Sequence, residues 1–329
     1  MAEKFVKHGH LFRKSFTLAN KNVAKWFPGH MHKGMQKMVS RIKSVDCVIE
    51  VRDARIPLSG QNPKFSGILA ARPHVLLLNK ADLCDMSFKD DVEHMLKQQG
   101  IKELMWINCK EQFPSVIKKD LIPTIMNSIN SYERYKQTDL SIYNVMVIGI
   151  PNVGKSSLIN TIRRVLIQKG KATPVGARAG ITRSVLEKIK VSADPKIYVY
   201  DTPGVLAPEV KNVDVGMKLA LCACLQDHLV GEDVIVDFLL YWFNKHNNFR
   251  YVSVFELKEP LDDVLEFLNH VALKNNKIAR VTSLDPSQGR TVYKPDFTAA
   301  AALVLKKFRA GELGPVMLDS NKMKHLHKA

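Results

Sequence analysis

Long apolar runs are missing from this chain of 329 residues: charges interrupt every stretch that approaches the length of a membrane span. Cysteine is sparse. The five thiols (Cys47, Cys84, Cys109, Cys222 and Cys224) are odd in number and share no repeated spacing, which argues against a disulfide framework and for a reducing compartment. Cys222 and Cys224 stand one residue apart within an apolar helical pattern, where buried thiols are a better reading than a metal site. There is no internal repeat, and no low-complexity tract beyond the alanines at 299–302. Acid is also short: 32 Asp and Glu against 49 Lys and Arg leave a net charge of +17, which concerns partners rather than fold and points to an anionic surface.

The deficit of acid is local. Residues 1–45 hold ten Lys or Arg against Glu3 alone, and residues 163–190 hold eight against Glu187. Two such stretches favour a phosphate backbone as partner. Within residues 1–25, Phe5, Phe12, Phe16 and Leu18 lie among Ser, Thr and basic residues; that composition resembles a mitochondrial import segment, the expected reading, with an RNA-binding arm as the alternative. Hydrophobic residues make up 46%, enough for a substantial core, and the length suggests two domains.

Periodicity divides the chain. Strand patterns at 44–51, 74–78 (a continuous apolar run), 104–107 and 143–148, with further strands at 185–191 and 196–200, alternate with helical patterns at 31–43, 89–99, 114–135 and 155–166. That alternation predicts a mostly parallel sheet with helices on both faces. From about residue 207 the pattern becomes helical, over 214–226, 232–246, 259–275 and 296–310. The expected layout is a basic segment over 1–25, an α/β domain over 26–206 and an all-α domain over 207–329.

Three motifs carry chemistry. Gly149 to Ser156 follows the G-x-x-x-x-G-K-S spacing between a predicted strand and a predicted helix, the context in which main-chain N–H groups of such a loop cradle phosphates. Lys155 would reach the β- and γ-phosphates and Ser156 would ligate Mg²⁺, while Asn152, Val153, Gly154 and Ser157 complete the cradle. Asn79-Lys80-Ala81-Asp82 ends its own apolar strand. Asp82 can accept both the N1–H and the N2 amino group of guanine, a donor pair that adenine lacks; Asn79 can reach N7 and tie this loop to the phosphate loop, and the Lys80 stem can cover the base. Asp201-Thr202-Pro203-Gly204 ends another strand, with Asp201 placed to hold Mg²⁺ through water and the Gly204 amide to touch a γ-phosphate. Thr182 is the candidate switch threonine, closing on Mg²⁺ and γ-phosphate, with Thr173 behind it. Asn108 and Cys109 are base contacts by position. The guanine motif precedes the phosphate loop, the reverse of the ordinary order, so the domain is circularly permuted.

The glutamine that orients water in many such sites is also missing; Val205 follows Gly204. Asn152, holding a monovalent cation against the phosphates, and His30, as an acid–base group, are the candidates to replace it, although spacing alone reads His30 as a helix-capping residue.

Trp26-Phe27-Pro28-Gly29-His30-Met31, Asp53-Ala54-Arg55-Ile56-Pro57 and Gly149–Ser157 together resemble, in the same order, the signatures of the circularly permuted YlqF/RbgA ribosome-assembly GTPases, and in particular their mitochondrial branch. The resemblance covers nearly all of the chain after residue 25. It implies a P-loop GTPase that uses GTP, Mg²⁺ and K⁺, that is slow alone and stimulated by the ribosome, and that acts late in assembly of the mitochondrial large subunit. It further implies that the helical domain binds rRNA, that His30 is catalytic and that Asn152 mediates potassium stimulation. The expected location is the matrix, with charge that permits peripheral contact with the inner membrane, and the expected state is a monomer. Asn108-Cys109-Lys110 departs from the Ser-Ala usual in that loop. A nucleotide-stabilised scaffold without catalysis, which Val205 would favour, and a cytosolic or nucleolar relative are the alternatives.

Overall fold

The computed structural model describes residues 4–7, 10–18, 31–111, 114–132, 142–167, 187–206, 212–282 and 291–323. In chain order the strands are β1 (Lys4–Lys7), β2 (His10–Arg13), β3 (Cys47–Asp53), β4 (His74–Asn79), β5 (Glu103–Ile107), β6 (Ile142–Ile148), β7 (Glu187–Ala193), β8 (Lys196–Asp201), β9 (Ile278–Thr282) and β10 (Thr291–Pro295). The helices are α1 (Met31–Arg41), α2 (Ser66–Ala71), α3 (Lys89–Gln98), α4 (Ile122–Asn130), α5 (Lys155–Ile167), α6 (Val213–Leu221), α7 (Asp227–Val230), α8 (Glu232–Lys245), α9 (Arg250–Val254), α10 (Val264–Lys274), α11 (Phe297–Ala310) and α12 (Ser320–Met323).

The chain forms two compact units. One comprises residues 23–226 and 315–329 and is built on a six-stranded sheet in the order β5-β4-β3-β6-β8-β7. Five strands run parallel and only β7 pairs antiparallel, at an edge. Every residue of β3 is buried, as a central parallel strand covered on both faces requires. The phosphate-loop strand β6 stands beside β3, yet it is the fourth strand of this sheet in chain order. The sheet thus changes winding direction between β3 and β6, the place where open α/β sheets leave a crevice at their carboxyl edge.

β3 also carries charge into that core. Glu50 and Arg52 lie two residues apart on one face, joined by paired bonds of 2.8 Å, with His74 Nε2 3.3 Å from Glu50. Burial alone would raise the Glu50 carboxyl, but the Arg52 and His74 charges and hydrogen bonds outweigh it and hold it at about 2. Arg52 also donates to Pro57 O at 3.0 Å, anchoring the loop that follows the strand.

The second unit comprises residues 1–22 and 227–314. Its core is aromatic: Phe243 stacks on Tyr251, and Phe267 meets both Tyr251 and Phe255 edge-on. The region is helical as expected, with one addition, the antiparallel hairpin of β9 and β10. Its boundaries differ from the sequence-based layout. Helix α6 and residues 315–323 cluster with the sheet unit, so the helical unit begins at Asp227 rather than near 207. The basic N-terminal segment is part of this second unit. Phe12 is buried near Phe249, Phe16 meets Phe238 edge-on, and Arg13 pairs with Asp237 at 2.7 Å. Processing on the C-terminal side of Phe12 and Phe16 would open that core. Among the described residues, no helix is long and apolar enough to cross a membrane.

Glu50→Gln leaves Arg52 buried without its counter-charge, and should cost the sheet unit about 3–5 kcal/mol at pH 7, read as hydrogen exchange of the β3 amides. The acid's folded pKa lies below its unfolded value, so its stabilisation is complete above about pH 5 and is lost as the pH falls towards 2. The gap between wild type and variant should therefore narrow between about pH 5 and pH 2.

Candidate nucleotide site

Three loops meet at the carboxyl edge of the sheet. Asp53, Asn79 and Ile107 are neighbours in register at the ends of β3, β4 and β5. The Asn79 side chain joins the loops: Nδ2 donates to Val153 O at 2.8 Å, and Oδ1 accepts from Cys109 N at 3.1 Å. Gly154, at φ +105°, packs so closely on the Asn79 amide that a β-carbon there would collide with it. Thr161 on α5 donates to Cys109 O at 3.2 Å and holds the third loop from behind.

Lys80 takes the left-handed conformation, φ +63°, which turns the chain into a 3₁₀ turn over Ala81–Leu83. Its ammonium lies 2.9 Å from Asp53, which is buried and also paired with Arg55 at 2.8 Å. Burial would raise the Asp53 carboxyl; Arg55 and Lys80 outweigh it and hold it below the ordinary carboxylate range. Asp82 is exposed in the first turn that follows. Asn108 accepts from Lys110 N at 3.0 Å. The Cys109 thiol is buried and pushed up to about 12, so what that position offers the site is its main chain.

At the phosphate end, Lys155 opens the thirteen-residue helix α5 together with Ser156 and Ser157, aiming the N–H groups of a helix start at the loop. Lys155 is 6% exposed and donates to Ile150 O at 2.9 Å. Burial lowers its ammonium to about 8 despite the Asp201 charge, a cost that phosphate oxygens would relieve. Ser156 Oγ lies 3.5 Å from Asp201 Oδ2. This pair of hard oxygen donors suits Mg²⁺, which keeps water and phosphate oxygens for its remaining positions. Among the described residues there is no group of three or more His, Cys, Asp or Glu that could hold a metal without such ligands. Gly204 lies against the Pro151 main chain, where a β-carbon would come within 2.7 Å, and Val205 N donates to Gly149 O at 3.3 Å. The Asp201–Gly204 loop and the phosphate loop therefore form one packed pair.

Residues 144–276 match the model of the 50S ribosome-binding GTPase family. The chain is 48% identical to mitochondrial ribosome-associated GTPase 1 of Bos taurus, over 94% of this chain and 92% of that one. It is 46% identical to the protein of the same name from Xenopus tropicalis, over 94% and 98%. The chain belongs to the mitochondrial ribosome-associated GTPase 1 family. The fold is also that of YlqF: a crystal structure of GNP-bound YlqF from T. maritima superposes with a TM-score of 0.53 at 20% identity, covering 85% of this chain and 94% of that one. Family membership implies GTP hydrolysis and the use of a guanine nucleotide and Mg²⁺.

Two of the expected catalytic residues of this GTPase, His30 and Thr182, lie outside the described residues, as does Thr173. What is described is α1, which starts immediately after His30. Its Gly34 sits so close to the loop that follows Asp201 that a β-carbon would come within 2.9 Å of Pro203 Cγ and 3.3 Å of Val205 Cγ2. Val205 is buried, and Asn62 Nδ2 holds its carbonyl at 2.8 Å, so this position belongs to the core and not to the water. The third, Asn152, is left-handed at φ +59° and donates Nδ2 to Ala223 O at 2.7 Å. Ala223 is itself left-handed, at the end of α6. Cys222 and Cys224 flank it, both buried, with burial pushing the Cys224 thiol up to about 12.

Sequence reasoning named Asp53 and Arg55 only as a signature and missed Gly34, Asn62 and Ala223. An Asp-x-Arg at the end of a wholly buried strand was the available signal for the buried pair; the others depend on contacts between distant segments.

Gly34→Val should push α1 off Pro203 and Val205. GTP turnover is expected to fall on the order of tenfold while GDP affinity changes less than about twofold, measured by steady-state hydrolysis and calorimetry.

Proposed function

We propose that the protein is a GTP-hydrolysing switch in assembly of the mitochondrial large ribosomal subunit, bound to its rRNA with GTP and released on hydrolysis. The observation that supports this most is the Asn79 bridge. It joins a guanine-reading loop to a phosphate loop, in a chain whose relatives at 45–48% identity are named mitochondrial ribosome-associated GTPases. The net charge of +17 suits a phosphate-rich partner.

In this reading Asp82, Asn79 and Lys80 select guanine, with Asn108 and Cys109 lining the base. Asn152 to Ser157 hold the phosphates. Ser156, Thr182 and, through water, Asp201 hold Mg²⁺, which when bound offsets the charge that develops on the β- and γ-phosphate oxygens. Gly204 and Thr182 sense the γ-phosphate. Because Val205 is apolar and packed, water must be oriented from elsewhere, and His30, immediately before the helix that rests on Val205, takes that role. Asn152, at the mouth of the phosphate loop, positions K⁺ against the phosphates. Hydrolysis is slow in isolation and is stimulated by K⁺ and by the large subunit. The protein acts as a monomer in the matrix, and its basic surface allows peripheral contact with the inner membrane.

Multiple-turnover hydrolysis with and without mitochondrial large subunits, in K⁺ and in Na⁺, tests the proposal. Turnover should rise at least about tenfold with subunits and K⁺ together, and Lys155→Ala should abolish it. Hydrolysis indifferent to both would reduce the protein to a nucleotide-stabilised scaffold.

A further inference from the structure

We propose that Asp319, braced by Lys218, is a positioning residue for guanine recognition, through which the C-terminal tail holds the loop that follows β3, beside the base reader. The proposal rests on the reading of Lys80–Asp82 as that reader.

The chain leaves the sheet unit after Gln226 and re-enters it at Pro315. The returning segment is core. Met317 and Met323 are buried in one cluster with Ala54, Leu78, Cys84 and Val92, which lie around the guanine loop. Its main chain then ties down that loop and its neighbour after β3. Val316 N donates to Leu83 O at 3.0 Å, next to Asp82, and Leu318 N donates to Arg55 O at 2.9 Å, beside the Asp53 carboxylate that grips Lys80.

Asp319 completes the clamp. Its side chain is 0% exposed; Oδ2 accepts Leu58 N at 2.9 Å and Ser59 N at 2.7 Å, and Oδ1 accepts the Ser59 hydroxyl. Lys218, on the helix that follows the Asp201–Gly204 loop, is 1% exposed and lies 3.7 Å from Asp319 Oδ1. It is also held by Asn321 Oδ1 at 2.9 Å and by Asp214 at 2.6 Å. From the exposed side, Lys322 donates to Ser59 Oγ at 3.0 Å.

Apolar packing alone gives no reason for a carboxylate here. A leucine would fill similar space without desolvating a charge. What a carboxylate supplies is a directed, charge-assisted grip on two successive N–H groups. The gripped loop has little regular structure, and its neighbour carries Lys80 in a conformation that non-glycine residues rarely adopt. Such a backbone keeps its shape only where surrounding contacts over-determine it. The tail supplies those contacts.

The test uses the full chain. GDP and GTP affinity are measured by calorimetry and GTP turnover by steady-state kinetics, in wild type, Ser59→Ala, Asp319→Asn and the double variant Lys218→Met with Asp319→Leu. Ile129→Ala, on α4, serves as a control for destabilisation alone. Asp319→Asn should weaken GDP about tenfold and Ser59→Ala about threefold, with KM rising and kcat at saturating GTP retained. The double variant should recover melting temperature without recovering affinity, and Ile129→Ala should melt lower yet bind as wild type. Recovery of affinity together with stability in the double variant, or unchanged GDP affinity in folded Asp319→Asn and Ser59→Ala, would overturn the proposal. Should Asp319→Asn fail to fold, the other variants decide it. Asp82→Ala separates the underlying reading: if it leaves GDP affinity intact, the base-reader assignment fails; if it abolishes binding while the tail variants do not, only the role of Asp319 fails.

Discussion

One amide side chain holds the nucleotide site together. Asn79 closes β4, donates to the phosphate loop at Val153 and accepts from Cys109 on the third loop. The loops it joins lie some seventy residues apart in the chain and in reversed order. Nothing local keeps them at a fixed separation, so a shared, buried hydrogen-bond hub does. Gly154 is part of the same constraint, since a side chain there would displace the amide.

Around that hub the interior is unusually polar for a central strand. Glu50–Arg52 and Asp53–Arg55–Lys80 place five charged residues at or beside the end of β3. Removing such groups from water is costly, and only complete pairing with good geometry makes it tolerable. The return is rigidity: Arg52 fixes Pro57, Asp53 fixes Lys80, and the Lys80–Asp82 loop is set before any ligand arrives. A pre-set loop loses less freedom on binding, which favours affinity for the nucleotide. The Asp201–Val205 side is built the same way, with Gly204 against Pro151, Val205 against Gly34, and Asn152 on Ala223.

Much of this was readable from residues alone. β4 announces itself as a continuous apolar run, β3 and β6 as mainly apolar strands, and the glycine-rich loop and Asn79–Asp82 fall where strand ends put them. Those signals are local. The rest is not local, and so periodicity does not carry it. Asp319 and Met317 sit in a stretch without a clear pattern, and their meaning comes from partners some 260 residues away. Helix α6 has the apolar texture of the helices after it, so composition put the domain boundary near 207, whereas packing puts it at 227. The β9–β10 hairpin escaped because strands of five residues joined by a polar stretch resemble loop. Phe12 and Arg13 read as composition until the structure placed them on α8, where Arg13 meets Asp237.

The central claim is that this permuted chain recognises guanine through the loop that Asn79 ties to the phosphates. The direct measurement is nucleotide binding by wild type and Asp82→Asn, with GDP, XDP and ADP titrated against each. Xanthine carries an oxygen where guanine carries its N2 amino group, and an asparagine amide can donate to that oxygen. Wild type should bind GDP and reject XDP and ADP; Asp82→Asn should lose GDP and gain XDP. A wild type that binds ADP as tightly as GDP, or a variant that keeps the wild-type preference, would contradict the account.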